Sequence, residues 1–202
     1  MDSAVPTTKK IHPQKFALWI ALCSIAMMFA GLTSGYIVRR GQGEWRVFEL
    51  PSAFYVSTVV IVASSVTYYL AVKAFKNRKI ASFRNLMLTT ILLGLGFGAL
   101  QYWGFYQLYH IPQQINISGQ LQNASSTVRL NGNPSGSFLF IIAGAHLAHI
   151  AGGIFALLYV FIKSYSKNVK VYSTTSLEIV GGYWHFVDVL WIYLFVFFLL
   201  NH

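Results

Sequence analysis

Five long apolar runs, each bounded by polar or basic residues, divide the chain: Phe16 to Val38, Ala53 to Val72, Phe83 to Gln107, Phe138 to Ile162 and Leu177 to Leu200. A helix rises 1.5 Å per residue, so about 20 residues cross a hydrocarbon core of about 30 Å. Each run is long enough. In hydrocarbon every backbone N–H and C=O must be satisfied within the segment, which a helix achieves and an isolated strand does not. The pattern therefore predicts an all-α membrane bundle of five transmembrane helices forming one domain. Aromatic residues at the run ends, Trp19 and Tyr36 on the first and Tyr102, Trp103 and Tyr106 on the third, suit the membrane interface. Pro51 and Pro134 stand just before runs, where a helix start tolerates proline. The longest connection, residues 108–137, is rich in Asn, Gln, Ser and Gly and reads as a surface loop. Its Asn116-Ile117-Ser118 and Asn123-Ala124-Ser125 match the glycosylation pattern too cheaply to carry weight. The polar stretch to Lys15 leads into a run too long for a cleaved signal and without a small-residue cleavage site, so the first run reads as a retained helix.

Composition agrees with a bilayer solvent. The chain is 55% hydrophobic and 10% charged, against about 25% charged in soluble domains. A net charge of +10 would suit nucleic acid, but the basic clusters flank apolar runs, where anionic headgroups are the better partner. On one side of the membrane stand Lys9, Lys10, Lys15, Lys73, Lys76, Arg78, Lys79, Arg84, Lys163, Lys167 and Lys170; on the other stand only Arg39, Arg40, Arg46 and Arg129. By the positive-inside rule the N-terminus is cytoplasmic and the C-terminus lies outside. Cys23 is the single cysteine, which removes any intrachain disulfide and any thiolate pair for copper or iron–sulfur binding.

Polar groups inside the runs are candidates for function because they are costly there. On the fourth run, Gly144, Ala145, His146, Ala148, His149, Gly152 and Gly153 make a small-residue surface carrying two histidines three apart, hence on about the same face. They are either a metal or haem ligand pair or, the favoured reading, neutral imidazoles hydrogen-bonding at a helix interface or to a lipid headgroup. On the fifth run, Glu178, His185 and Asp188 follow one stripe that should face the bundle interior. Asp188 lies about 15 Å deeper than Glu178. There it should pair with His185 or another buried donor, or be protonated. A proton relay and a fixed polar knot both remain open, with the knot favoured.

Glu178-Ile-Val-Gly-Gly-Tyr183-Trp184-His185-Phe186-Val187-Asp188-Val-Leu-Trp191 resembles the last-helix motif of cytochrome c oxidase subunit III. The fourth run, from Ser135-Gly136-Ser137 through His146 and His149 to Gly152-Gly153, is similar to that family's Gly-x-His helix, and Thr90, Gly94 and Gln101 match its Thr-x-Leu-Leu-Gly helix ending in Gln. The resemblance covers essentially the whole chain and fits the short bacterial form, which lacks two spans of the longer members. Two departures stand out. Ile25 occupies the place, after Ser24, where many members carry a carboxylate, and the Glu often found shortly after Gln101 is missing.

The resemblance implies a bundle split around a V-shaped, phospholipid-holding cleft. It also implies no haem or copper in this chain, these being held by partner subunits, and packing on the catalytic subunit I of a proton-translocating cytochrome c or quinol oxidase in the bacterial inner membrane. The chain itself would be a non-catalytic subunit. His146, His149, Lys163, Glu178, His185 and Asp188 are then expected to serve lipid binding or a structural polar network, with Lys163 at the position of a basic residue near the headgroups. Against this stand a di-iron oxygenase, for which six histidines, three of them outside the runs, are too few; a proton-coupled transporter, which the lack of an internal repeat disfavours; and a haem protein using His149 and His185.

Overall fold

Each apolar run becomes the middle of one helix in the computed structural model: α1 (Pro13–Arg40), α2 (Ser52–Lys76), α3 (Ile80–His110), α4 (Pro134–Lys163) and α5 (Thr174–Asn201). All five are long and apolar enough to cross a membrane. The structure describes residues 13–42, 51–110, 134–165 and 174–201. Lys9, Lys10, Arg46, Arg129, Lys167, Lys170 and both Asn-x-Ser sequences lie outside the described residues. The helices outrun the apolar segments that predict them. α4 begins at Pro134 rather than at Phe138, and α3 continues to His110, so the polar connection is shorter than the apolar boundaries suggest. Proline costs nothing in a first helical turn, where its missing N–H would find no intrahelical partner.

Local chemistry fixes the tightest connection. At the end of α2 the Lys79 N–H donates to Ala74 O at 3.0 Å and the Arg78 N–H to Phe75 O at 2.9 Å. This crossed pair closes a helix with a residue in left-handed conformation, and Arg78 holds φ 58°. α3 starts one residue later, and α2 and α3 form an antiparallel hairpin with the most extensive packing in the bundle. At the same membrane face Arg84 of α3 donates through Nη2 to Ser164 O, the carbonyl just past α4. Its guanidinium also lies 4.2 Å from the centre of the Tyr165 ring. A cation at a helix C-terminus satisfies an orphan carbonyl and the helix dipole together.

α3 packs on α4, and α5 packs on α2 and α4; α1 is held only by α4 and α5 to any extent. The centre is aromatic. Trp184 and Trp191 of α5 are fully buried, with Phe29 and Tyr36 of α1, Phe54 and Tyr68 of α2, and Phe97 of α3 around them. Trp191 stacks on Phe54 with centroids 6.1 Å apart and meets Phe97 edge-on at 5.2 Å. Large apolar side chains such as Met27, Val59, Tyr102 and Phe155 face outward, as lipid-facing surfaces require, because hydrocarbon solvates them at no cost.

Candidate functional site

One face of α2 carries hydroxyls, and α5 and α3 bring polar groups to meet them. Positions 57 and 64, and 58 and 65, are seven apart and so align along that face. Trp184 Nε1 donates to Ser64 Oγ at 3.2 Å, and Trp191 Nε1 to Thr58 Oγ1 at 3.0 Å. Gln101 Nε2 of α3 donates to Ser57 Oγ at 2.9 Å, and Thr67 and Thr90 share a hydrogen bond of 2.9 Å. Ser65 pairs with His185 Nδ1. Each hydroxyl satisfies a group that hydrocarbon cannot. Thr90, Gly94, Gln101, Trp184 and Trp191, singled out by sequence, thus converge on one layer. The Ser and Thr residues of α2 that receive them carry no sequence signal, since such residues are ordinary in membrane helices.

Asp188 is only 2% exposed. The Ser65 hydroxyl lies beside its carboxyl, yet neither carboxyl oxygen completes a hydrogen bond of normal geometry with a described residue. Of the partners expected for Asp188, His185 makes no hydrogen bond to it among the described residues and pairs with Ser65 instead, while Ser65 is the other buried donor beside the carboxyl. Glu178 also departs from the interior stripe. It stands one turn from the start of α5, 42% exposed, and takes an ion pair from Lys15 Nζ at 2.6 Å. A carboxylate within reach of water and a cation avoids the penalty that the bundle centre would impose.

His146 and His149 do share a face, as three-residue spacing predicts: both meet the Phe29 ring edge-on, at 6.3 and 5.7 Å. Their expected hydrogen bonds across a helix interface are absent among the described residues. His149 Nδ1 bonds Ala145 O of its own helix at 2.7 Å. His146 is 1% exposed, lies among Phe29, Phe97 and Trp191, and neither ring nitrogen has a hydrogen-bond partner among the described residues. Tyr183, next to Trp184, donates to the His149 backbone carbonyl at 3.0 Å. The small surface of α4 receives these two aromatics: a Cβ on Gly153 would stand 2.8 Å from Trp184 Cε3, and one on Gly152 3.6 Å from the Tyr183 hydroxyl. Lys163 lies over the Tyr159 ring on the same helix, 5.5 Å from its centre.

α1 and α5 run parallel and are tied at both ends. Toward their C-termini, Thr33 and Tyr193 share a hydrogen bond of 3.1 Å, Tyr36 donates to Asn201 O at 3.0 Å, and Arg40 to Asn201 Oδ1 at 3.1 Å. Toward their N-termini stands the Lys15–Glu178 pair. Between that pair and the helix middles lies a cavity of about 430 Å³. Its walls run from the ion pair through Trp19 and Gly182 to His185, Phe186, Leu22 and Val189. Its rim is charged and its floor is apolar. Among the described residues, no three His, Cys, Asp or Glu side chains stand close enough together to hold a metal ion.

No protein-family model matches the chain. It is 33% identical over 181 residues to a probable cytochrome c oxidase subunit 3 of Nocardia farcinica, covering 87% of this chain and 82% of that one. It is 30% identical over 215 residues to cytochrome c oxidase subunit 3 of Corynebacterium diphtheriae, covering 97% of both. The corresponding protein of Bacillus sp. strain PS3 is 24% identical over 182 residues, with 88% of this chain and 80% of that one covered.

Proposed function

Because the chain belongs to the cytochrome c oxidase subunit 3 family, we propose that it is the accessory, redox-inactive subunit of a haem–copper terminal oxidase, stabilising the catalytic subunit and holding phospholipid beside it. The observation that carries the reading is the layer in which Trp184, His185 and Trp191 of the last-helix motif bond to α2, in a chain whose relatives match it over most of its length. The motif residues build the bundle. In this reading haem and copper belong to partner subunits. Phospholipid finds a chemically suitable place in the cavity between α1 and α5, and Lys163 offers a further cation at the same membrane face.

The test is assembly. A tagged copy of this chain, solubilised mildly, should bring down the catalytic subunit with its haem spectrum, and deleting the chain should lower the amount of intact oxidase more than the turnover of each surviving complex. A chain that purifies alone, or carries its own haem band, would defeat the proposal.

We further place the chain in the bacterial inner membrane, with its N-terminus in the cytoplasm. Lys73, Lys76, Arg78, Lys79 and Arg84 gather at the α2–α3 turn and the start of α3, and Lys163 ends α4 on that same side. A reporter joined after His202 should therefore read as periplasmic, and one inserted in the α2–α3 turn as cytoplasmic. The reverse pattern would invert the bundle.

A further inference from the structure

We propose that Asp188 is a proton-exchange site in the middle of the bundle, loaded and unloaded through Ser65 and His185 from the cavity between α1 and α5. The inference goes beyond the accessory-subunit reading and does not depend on it. What carries it is where the Ser65 hydroxyl goes. Ser57, Thr58, Ser64 and Thr67, its neighbours on α2, each donate to a carbonyl of their own helix at 2.7–2.9 Å, the usual resting place of a hydroxyl in a membrane helix. Ser65 instead crosses to α5, where it pairs with His185 Nδ1 and stands beside the Asp188 carboxyl. One hydroxyl thus links an imidazole to a buried acid. That acid is 2% exposed and has no cation bonded to either oxygen among the described residues, so at rest it carries its proton, because hydrocarbon penalises a bare carboxylate.

His185 gives the acid an outlet. It lies seven residues from Glu178, about 10 Å along the helix axis, and lines the cavity of about 430 Å³ whose rim is the Lys15–Glu178 pair. Such a volume admits several waters at about 30 Å³ each. With Nδ1 engaged by Ser65, Nε2 is the ring nitrogen that serves the cavity. The packed neighbours bring few other ionisable groups. Lys15 of α1 stands at the rim. Tyr68 of α2 meets the imidazole edge-on at 5.6 Å while its hydroxyl donates to Leu177 O at 2.7 Å, so it holds the ring without competing for its nitrogens. His146 of α4 lies against Trp191, one turn beyond Asp188. The transfer is then a relay of two links. A hydronium ion in the cavity gives a proton to Nε2, the Nδ1 proton moves to Ser65 Oγ, and the proton of that hydroxyl moves to the Asp188 carboxylate. One proton enters, the acid becomes neutral, and the imidazole is left as the Nε2–H tautomer. The reverse sequence returns the proton to the cavity and restores the Nδ1–H tautomer.

The experiment moves the full chain, in nanodiscs, from light to heavy water and follows the infrared carbonyl stretch of protonated carboxyl groups. The chain has five acids, Asp2, Glu44, Glu49, Glu178 and Asp188, and at neutral pH only the last should give such a band. The wild-type band should be missing from Asp188→Asn and should shift to its deuterated position well before the helix amide bands do. Ser65→Ala should keep the band and slow its shift by about 100-fold or more, as the loss of a positioned proton-transfer group does, and Ser65→Thr should restore the rate. His185→Gln, which offers Ser65 a hydrogen-bonding partner but cannot exchange tautomers, should slow the shift as much. A wild type without the band, a band that survives Asp188→Asn, or exchange as slow as that of the helix amides would overturn the proposal. So would wild-type exchange in Ser65→Ala or in His185→Gln, each of which decides alone should the other fail to fold.

Discussion

Trp184→Ala should cost the bundle about 3–5 kcal/mol, the range for truncating a fully buried large aromatic. The indole is 0% exposed, bonds Ser64 through Nε1, and fills the space opposite both Gly94 and Gly153. Removing it opens a void between α3, α4 and α5 and leaves the Ser64 hydroxyl without its donor. The reciprocal change acts through the same contact. Gly153→Ala would bring a methyl within 2.8–2.9 Å of two rigid ring carbons, an overpacking worth about 1–3 kcal/mol. The two are coupled, since the smaller side chain at position 184 vacates the space that the methyl needs; the double variant should lose less than the two single losses added. Thermal unfolding of the detergent-solubilised chain, followed by near-UV circular dichroism, measures all three. A loss below about 1 kcal/mol for Trp184→Ala would mean that neighbouring rings collapse into the void and that the wedge is not what fixes the three helices.

Asp188→Asn should stabilise the folded chain, by about 1–3 kcal/mol, because it replaces a buried acid whose oxygens complete no hydrogen bond of normal geometry with a described residue by a neutral group of the same shape. His185→Leu should act in the opposite sense. It strands Ser65, which can retreat to a carbonyl of its own helix, so the loss should be about 1 kcal/mol. The contrast separates two roles for the pair. If the carboxyl is a structural member of the knot, Asp188→Asn weakens the fold or leaves turnover per intact oxidase unchanged. If it is retained at the expense of stability for proton movement, the variant folds better and the normalised turnover or proton yield falls. A destabilised Asp188→Asn chain would show that the carboxyl has a partner that the unmet oxygens conceal.

The sequence was most readable where one residue type has one consequence in a bilayer. Twenty or more apolar residues must be helical, and all five runs are, with errors only at the ends, as at Pro134. On α5, His185 and Asp188 are legible because ionisable groups are costly inside hydrocarbon, and Trp184 and Trp191 through the resemblance of the last-helix motif. Their acceptors were not legible. Ser57, Thr58, Ser64 and Ser65 match any small polar residue on a membrane helix, and only the fold reveals that they sit opposite Gln101, Trp191, Trp184 and His185. The Lys15–Glu178 pair, 163 residues apart, was likewise beyond reach, because a stripe on α5 shows which face Glu178 shares with Asp188 without showing that α1 opens a polar rim there. His146 misled for the opposite reason: spacing predicted a hydrogen-bonding histidine, and packing enclosed it among aromatic rings.

The arrangement of α1 bears on how the chain is made. Ribosomes deliver α1 before α2 and α3, yet its packing partners are α4 and α5, which emerge after them. The α2–α3 hairpin can close as soon as its turn leaves the translocon, because its contacts are local. α1 has no such opportunity. It must wait in lipid, stable as a spanning segment but unclaimed by any neighbour, while the rest of the chain is inserted. Its docking then closes the described bundle, with Thr33, Tyr36 and Arg40 meeting Tyr193 and Asn201 in the last turns of α5. The emergence of α5 is thereby registered in the membrane as its capture of a helix made well before it.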